Sequence, residues 1–170
     1  MEEKRKTKIK EIIDKEKAKK VETKNEKNNE NSILAVIRIK GEVKVKPKIK
    51  ETLYRLRLRK KYSCILVNSK NKNLVGMINT VKHFVAFGEI EKETLVKLIK
   101  FRAQKLDNQK FDSEKIADEI ISGKKLKDLG FKPFFRLHPP RKGIKSKLQY
   151  PKGVLGDNHK DINNLIERML

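Results

Sequence analysis

ILAVIRI at residues 33–39, PKIKETLYRL at 47–56, SCILV at 63–67 and HFVAF at 83–87 carry the pattern that decides how this chain folds. The first run is rich in β-branched residues and stops short of Gly41, which predicts a buried strand. Pro47 sits where a helix can begin, because it has no N–H to lose there. Ile49, Leu53 and Leu56 follow at helical spacing and make one apolar stripe. Lys48, Thr52, Arg55 and Arg59 fall on another face, so this helix has a core side and a cationic side. Ser63–Val67 predicts a second strand, Leu74–Val81 a short helix weakened by Gly76, and His83–Phe87 a third strand closing at Gly88. The order β-α-β-α-β over residues 33–90 implies one small sheet with both helices on one face.

Beyond that block, Leu95, Leu98 and Ile99 mark a helix from about Lys92 to Gln104. Asp112 or Ser113 can cap another helix carrying Ile116, Ile120 and Ile121, stopped by Gly123. Pro133, Pro139, Pro140 and Pro151 hold residues 131–156 to strand and loop. Asn158 and Asp161 resemble a capping box for a last helix whose Ile162, Leu165, Ile166 and Met169 face a core. Ahead of the first strand, residues 1–32 hold too few apolar side chains to offset the entropy of ordering. They predict a disordered lysine-rich extension. Ile9, Ile12 and Ile13 have helical spacing that a partner could exploit, and a solvated idle tail is the equal alternative. Three parts result: 1–32 as extension, 33–90 as core, and 91–170 as helices, a basic proline-rich loop and a final helix packed on the core.

Charge narrows the partners. The chain has 44 Lys+Arg against 22 Asp+Glu, a net +22. Residues 1–32 contribute 11 basic and 8 acidic groups, so +19 of the excess belongs to residues 33–170. A folded part that cationic repels itself, and a polyanion relieves the repulsion. No apolar run approaches the ~20 residues of a spanning helix, and no signal-peptide core opens the chain. One cysteine, Cys64, makes no internal disulfide, and the chain reads as cytosolic.

Two basic tracts are the candidate site. Residues 38–61 hold 11 Lys+Arg with only Glu42 and Glu51 to dilute them, and no acid stands between Asp128 and Asp157. Neutralising phosphates with release of counterions needs such acid-free stretches. The first tract includes Lys44, Lys46, Lys48, Arg55, Arg57, Arg59, Lys60 and Lys61 as candidate phosphate-binding residues. The second includes Arg136, His138, Arg141, Lys142, Lys145 and Lys147. Among the aromatic residues, Tyr54, Tyr62, Phe134 and Phe135 read mainly as core, and Tyr150 is the best candidate for stacking on a base. His138 either contacts phosphate or ribose or is simply packed. His83, His138 and His159 are too far apart in sequence for zinc-ligand spacing, and Cys64 reads as buried. No phosphate-binding glycine loop, dinucleotide fingerprint or nucleophile elbow occurs, so neither catalysis nor a cofactor or small-molecule substrate is expected. A DNA-binding regulator would need a helix-turn-helix, which is not evident.

ILAVIRIKG (33–41), YRLRLRKKYSCILV (54–67), GMINTVKHFVAFGEI (76–90) and RLHPPRKG (136–143) together resemble the large-subunit ribosomal protein thirty family, archaeal type, whose eukaryotic equivalent is large-subunit protein seven. The resemblance implies an α+β class with a small antiparallel sheet, a ferredoxin-like-related β-α-β-α-β core that is the entire protein in bacterial relatives. It further implies a structural constituent of the large ribosomal subunit in the cytoplasm, bound to large-subunit ribosomal RNA beside neighbouring ribosomal proteins. By the same resemblance Lys44, Lys46, Arg55, Arg57, Arg59, Lys60 and Lys61, and later Arg136, His138, Arg141, Lys142 and Lys145, would face the RNA. A biogenesis factor of the same family, binding precursor ribosomal RNA, is the alternative. Two features depart from the pattern. Family members often have two glycines after the PPR, whereas here Lys142 precedes Gly143, and the lysine-rich extension is long for the archaeal type.

Overall fold

A strand apolar at successive positions must be covered on both faces, and ILAVIRI is. The computed structural model describes residues 32–105 and 111–170. The expectations for the N-terminal extension, including its inducible helix, lie outside the described residues. Strand β1 (Ile33–Arg38) sits in the middle of a five-stranded sheet. It pairs antiparallel with β2 (Ser63–Asn68) on one side and with β3 (Val85–Glu89) on the other. Two short strands complete the edges: β4 (Phe135–Arg136), antiparallel to β2, and β5 (Gly156–Asp157), parallel to β3. The three long strands are antiparallel as expected, and β5 makes the whole sheet mixed.

Period-two alternation divides the strands between two cores. Val36, Ile65, Val67 and Val85 face helices α1 (Pro47–Arg55) and α2 (Lys72–Val81), meeting Leu53, Leu56, Ile78 and Val81. Ile33, Ala35, Ile37, Cys64 and Ala86 face the other way. They pack with Leu95, Leu98 and Ile99 of α3 (Lys92–Arg102), Ala117 and Ile120 of α4 (Ser113–Ile121), and Ile162 and Ile166 of α5 (Ile162–Glu167). Ala35, Val36 and Ile37 are wholly removed from solvent. At about 1.5–3 kcal/mol for each large aliphatic side chain buried, this centre outweighs any local propensity.

The structure revises several boundaries. α1 ends at Arg55, so Arg59 lies in the following loop rather than on the helix. His83 is exposed before β3 begins at Val85, because the Phe84 N–H still closes the turn onto the Val81 carbonyl at 2.8 Å. The capping box at Asn158 does not form: its side chain instead donates to the Val154 carbonyl at 2.8 Å. A single turn of 3-10 helix, His159–Asp161, leads into α5.

Candidate nucleic-acid interface

The sheet register gathers the connections that carry the cations. Ile37 stands opposite both Cys64 and Ala86, Ser63 opposite Arg136, and Ala86 opposite Gly156. The end of β1, the starts of β2 and β3, and the β4–β5 connection therefore share one end of the sheet. Lys44, Lys46 and Lys48 lie on the segment that leaves this end and opens α1, and Arg59, Lys60 and Lys61 on the one that enters β2. Arg136 and His138 start the β4–β5 connection, which continues through Arg141, Lys142, Lys145 and Lys147. Arg55 and Arg57 are not part of this group; they line a cavity along the far part of β2. All of these side chains are exposed. Among the described residues only Arg55 has a carboxylate partner, Glu51 at 2.6 Å. The rest are uncommitted to ion pairs.

Three devices fix the backbone beneath these cations. The first is the end of α1. Arg57 N–H donates to Tyr54 O at 2.9 Å and Leu58 N–H to Leu53 O at 2.9 Å, with Arg57 at φ 60. This Schellman geometry normally uses glycine, and here it turns Leu58 into the core while Arg57 points out. The second is Arg38, the largest fully buried side chain, 1% exposed. Its Nη1 donates to the carbonyls of Leu58 at 2.8 Å and Arg59 at 2.6 Å, and its Nε to Lys40 O at 3.0 Å. One guanidinium thus ties the loop before β2 to the end of β1. Burial lowers its pKa from the ordinary value, opposed by the Glu42 carboxylate and Tyr54.

The third device holds the HPPRKG loop. His138 N–H donates to Met169 O at 3.0 Å and Arg141 N–H to Arg168 O at 2.8 Å. The Arg168 guanidinium returns bonds to the carbonyls of Arg141, at 2.9 Å from Nη2, and Gly143, at 2.5 Å. Lys142 adopts φ 63 and Gly143 φ 67, so the lysine occupies a left-handed conformation that glycine adopts most readily.

Neither Arg38 nor Arg168 was singled out from the sequence. Arg38 left a trace, since an arginine inside an otherwise apolar strand must find acceptors if buried. Arg168, the residue that follows α5, left none.

The aromatic residues divide. Phe135 is buried and Phe134 half-buried, as core residues should be. Tyr54 is exposed, with the Arg59 guanidinium 5.4 Å from its ring centre and its hydroxyl donating to Glu42 at 3.3 Å. Lys50 binds Glu42 at 2.6 Å, which holds that carboxyl below its ordinary pKa and the lysine above its own. Tyr150 donates to Asp161 at 2.8 Å, a bond that raises its pKa, and its ring meets His159 edge-on. Among the described residues no cluster of three or more His, Cys, Asp or Glu could hold a metal, and no helix is long and apolar enough to cross a membrane.

A family profile described as Ribosomal protein L30p/L7e matches residues 34–85. The chain is 42% identical over 152 residues to Large ribosomal subunit protein uL30 of Archaeoglobus fulgidus, an alignment spanning 81% of this chain and 99% of that protein. The chain belongs to this family. Large ribosomal subunit protein uL30 of Methanococcus maripaludis is 37% identical over 153 residues, covering 80% of this chain and 98% of its own. The protein of that name from Hyperthermus butylicus is 35% identical over 178 residues, covering 90% of this chain and 98% of its own. Likeness to uL30 thus extends well past the profiled 34–85 into the helices and the HPPRKG loop.

Proposed function

We propose that this uL30-family protein is a structural, non-enzymatic constituent of the large ribosomal subunit that binds ribosomal RNA through one end of its sheet. The observation that carries this reading is the convergence there of exposed, unpaired cations on loops braced by Arg38 and Arg168. Charge alone would give loose binding. Cations whose backbones are fixed can match a particular arrangement of phosphates, and folded RNA is recognised largely by shape and backbone. Lys44, Lys46, Lys48, Arg59, Lys60 and Lys61 would contact phosphates from one side. Arg136, His138, Arg141, Lys142, Lys145 and Lys147 would do so from the other, so that two RNA segments are clamped. Arg55 and Arg57 stand apart and would contribute only long-range attraction. The family also supports a place among neighbouring ribosomal proteins.

Co-sedimentation with large subunits through moderate salt tests this. Near one copy per washed particle is expected. A combined Arg59→Glu, Lys60→Glu, Arg141→Glu and Lys142→Glu variant should be depleted at least tenfold, since reversal replaces attraction by repulsion at each phosphate. Equal incorporation of the folded variant would sink the reading.

A further inference from the structure

Pro133 cuts short the pairing of β4 with β2. Ser63 faces Arg136 and Cys64 faces Phe135, so the residue in line for Leu66 is Pro133. Proline has no N–H to offer the Leu66 carbonyl, and the ladder stops there. Alternation tells which groups are left facing outward. Ser69 N–H donates to Ser32 O at 3.0 Å, which turns Val67 and Ile65 toward β1 and Leu66 and Asn68 away from it. The Asn68 carbonyl accepts from Asn71 N–H at 3.1 Å. Among the described residues neither the strand pairings of β2 nor the bonds outside them give the Leu66 N–H, the Leu66 carbonyl or the Asn68 N–H a backbone partner.

A cavity of about 440 Å³ lies along this open edge. Leu56, Ile65, Leu74, Ile120, Leu126 and Pro133 supply its apolar lining. Arg55, Arg57, Lys124, Lys125 and Lys127 stand around it, and no Asp or Glu lines it. Arg55 and Lys124 have carboxylate neighbours, Glu51 at 2.6 Å and Glu119 at 3.5 Å. Arg57, Lys125 and Lys127 have none among the described residues.

We propose that this groove binds an extended acidic segment of a neighbouring polypeptide, which adds as a strand to β2. Each feature matches that occupant. The outward amide groups of Leu66 and Asn68 continue a ladder that only another backbone can complete. The apolar lining takes aliphatic side chains from one face of the incoming strand, and the cationic rim pairs with carboxylates. RNA is a poorer fit: its phosphates would satisfy the rim, but no aromatic residue lines the cavity to stack a base, and the strand edge would go unused. The groove is separate from the sheet-end cations, so this inference stands or falls independently of the RNA reading.

The test titrates the full chain with the peptide Glu-Val-Glu-Ile-Glu-Val-Glu and follows backbone amide NMR shifts. Saturable shifts centred on Leu66 and Asn68 are expected, with affinity at least about tenfold weaker for Lys125→Glu/Lys127→Glu, through lost charge complementarity. Because those lysines lie away from the sheet end, the double variant should still enter large subunits normally. Any of four outcomes overturns the proposal. One is absence of saturable shifts, and a second is equal binding of the Lys-for-Glu peptide. Another is oligouridylate shifting the same amides at higher affinity, which assigns the groove to RNA. The last is protection of the Leu66 and Asn68 amides from exchange in the free chain, which means the edge is already filled by the chain itself.

Discussion

Arg38 bonds to three carbonyls from within a strand otherwise made of aliphatic side chains. Removing it would leave the buried Leu58 carbonyl and the part-buried carbonyls of Arg59 and Lys40 without their donor, a loss that includes the desolvation of the buried one. Arg38→Met should therefore lower the unfolding free energy by about 3 kcal/mol in urea titrations, within the range for breaking buried charged contacts. Arg38→Lys should recover only part, because one ammonium lacks the planar fork that reaches Leu58, Arg59 and Lys40 together. An Arg38→Met protein as stable as the parent would show that the loop before β2 holds itself. Cys64 poses a different test. Burial pushes its thiol up from 9.0 to about 12, so the fold keeps the proton more tightly than the unfolded chain. The associated stability is complete below pH 9.0 and is lost as pH climbs toward about 12. Replacing Cys64 with Ala should remove that part of the alkaline loss, so the two proteins' unfolding free energies converge across this window. Parallel pH profiles would contradict it.

Elements show the same dependence on tight fits. Gly88, in β3, passes so near the 3-10 turn that an added Cβ would come within 2.2 Å of the His159 carbonyl oxygen. That oxygen is backbone and cannot swing aside. Gly88→Ala should cost about 1–3 kcal/mol and speed exchange of the Asn158 amide, which donates to Phe87 O at 2.7 Å. An unchanged Asn158 exchange rate would show that β5 does not depend on this approach. What could be read from residues alone follows from how each element announces itself. The strands of ILAVIRI and SCILV and the stripe Ile49–Leu53–Leu56 are long enough for periodicity to speak, and they stand nearly where expected. β4 and β5 have two residues each, shorter than any period, and exist because β2 and β3 offer edges. The end of α1 was misjudged because the left-handed turn is made by Arg57, which carries no glycine signal. The candidate site was legible as two charged tracts. Their meeting at one end of the sheet was not, since that follows from register between strands far apart in sequence.

At the scale of the whole molecule, binding strength should vary with salt in proportion to the phosphates engaged. Each contact contributes a slope of roughly −0.7 to −0.9 in log K against log salt. Charge neutralisation of Lys60, Lys61, Arg141 and Lys142 should flatten that slope by about 3 units while leaving the urea midpoint in place, as all four are exposed. A slope unmoved by the four changes would separate these residues from the RNA. The two cores also set an order of events during synthesis. Residues 33–89 leave the ribosome before residues 90–170 and contain everything needed to zip β1 between β2 and β3 under α1 and α2. The reverse side of that young sheet then displays Ile33, Ala35, Ile37, Cys64 and Ala86 to water until α3, α4 and α5 have been made. Every molecule must therefore pass through a half-dressed, sticky adolescence, and a chain stalled near residue 90 is an aggregation hazard that the finished protein never reveals.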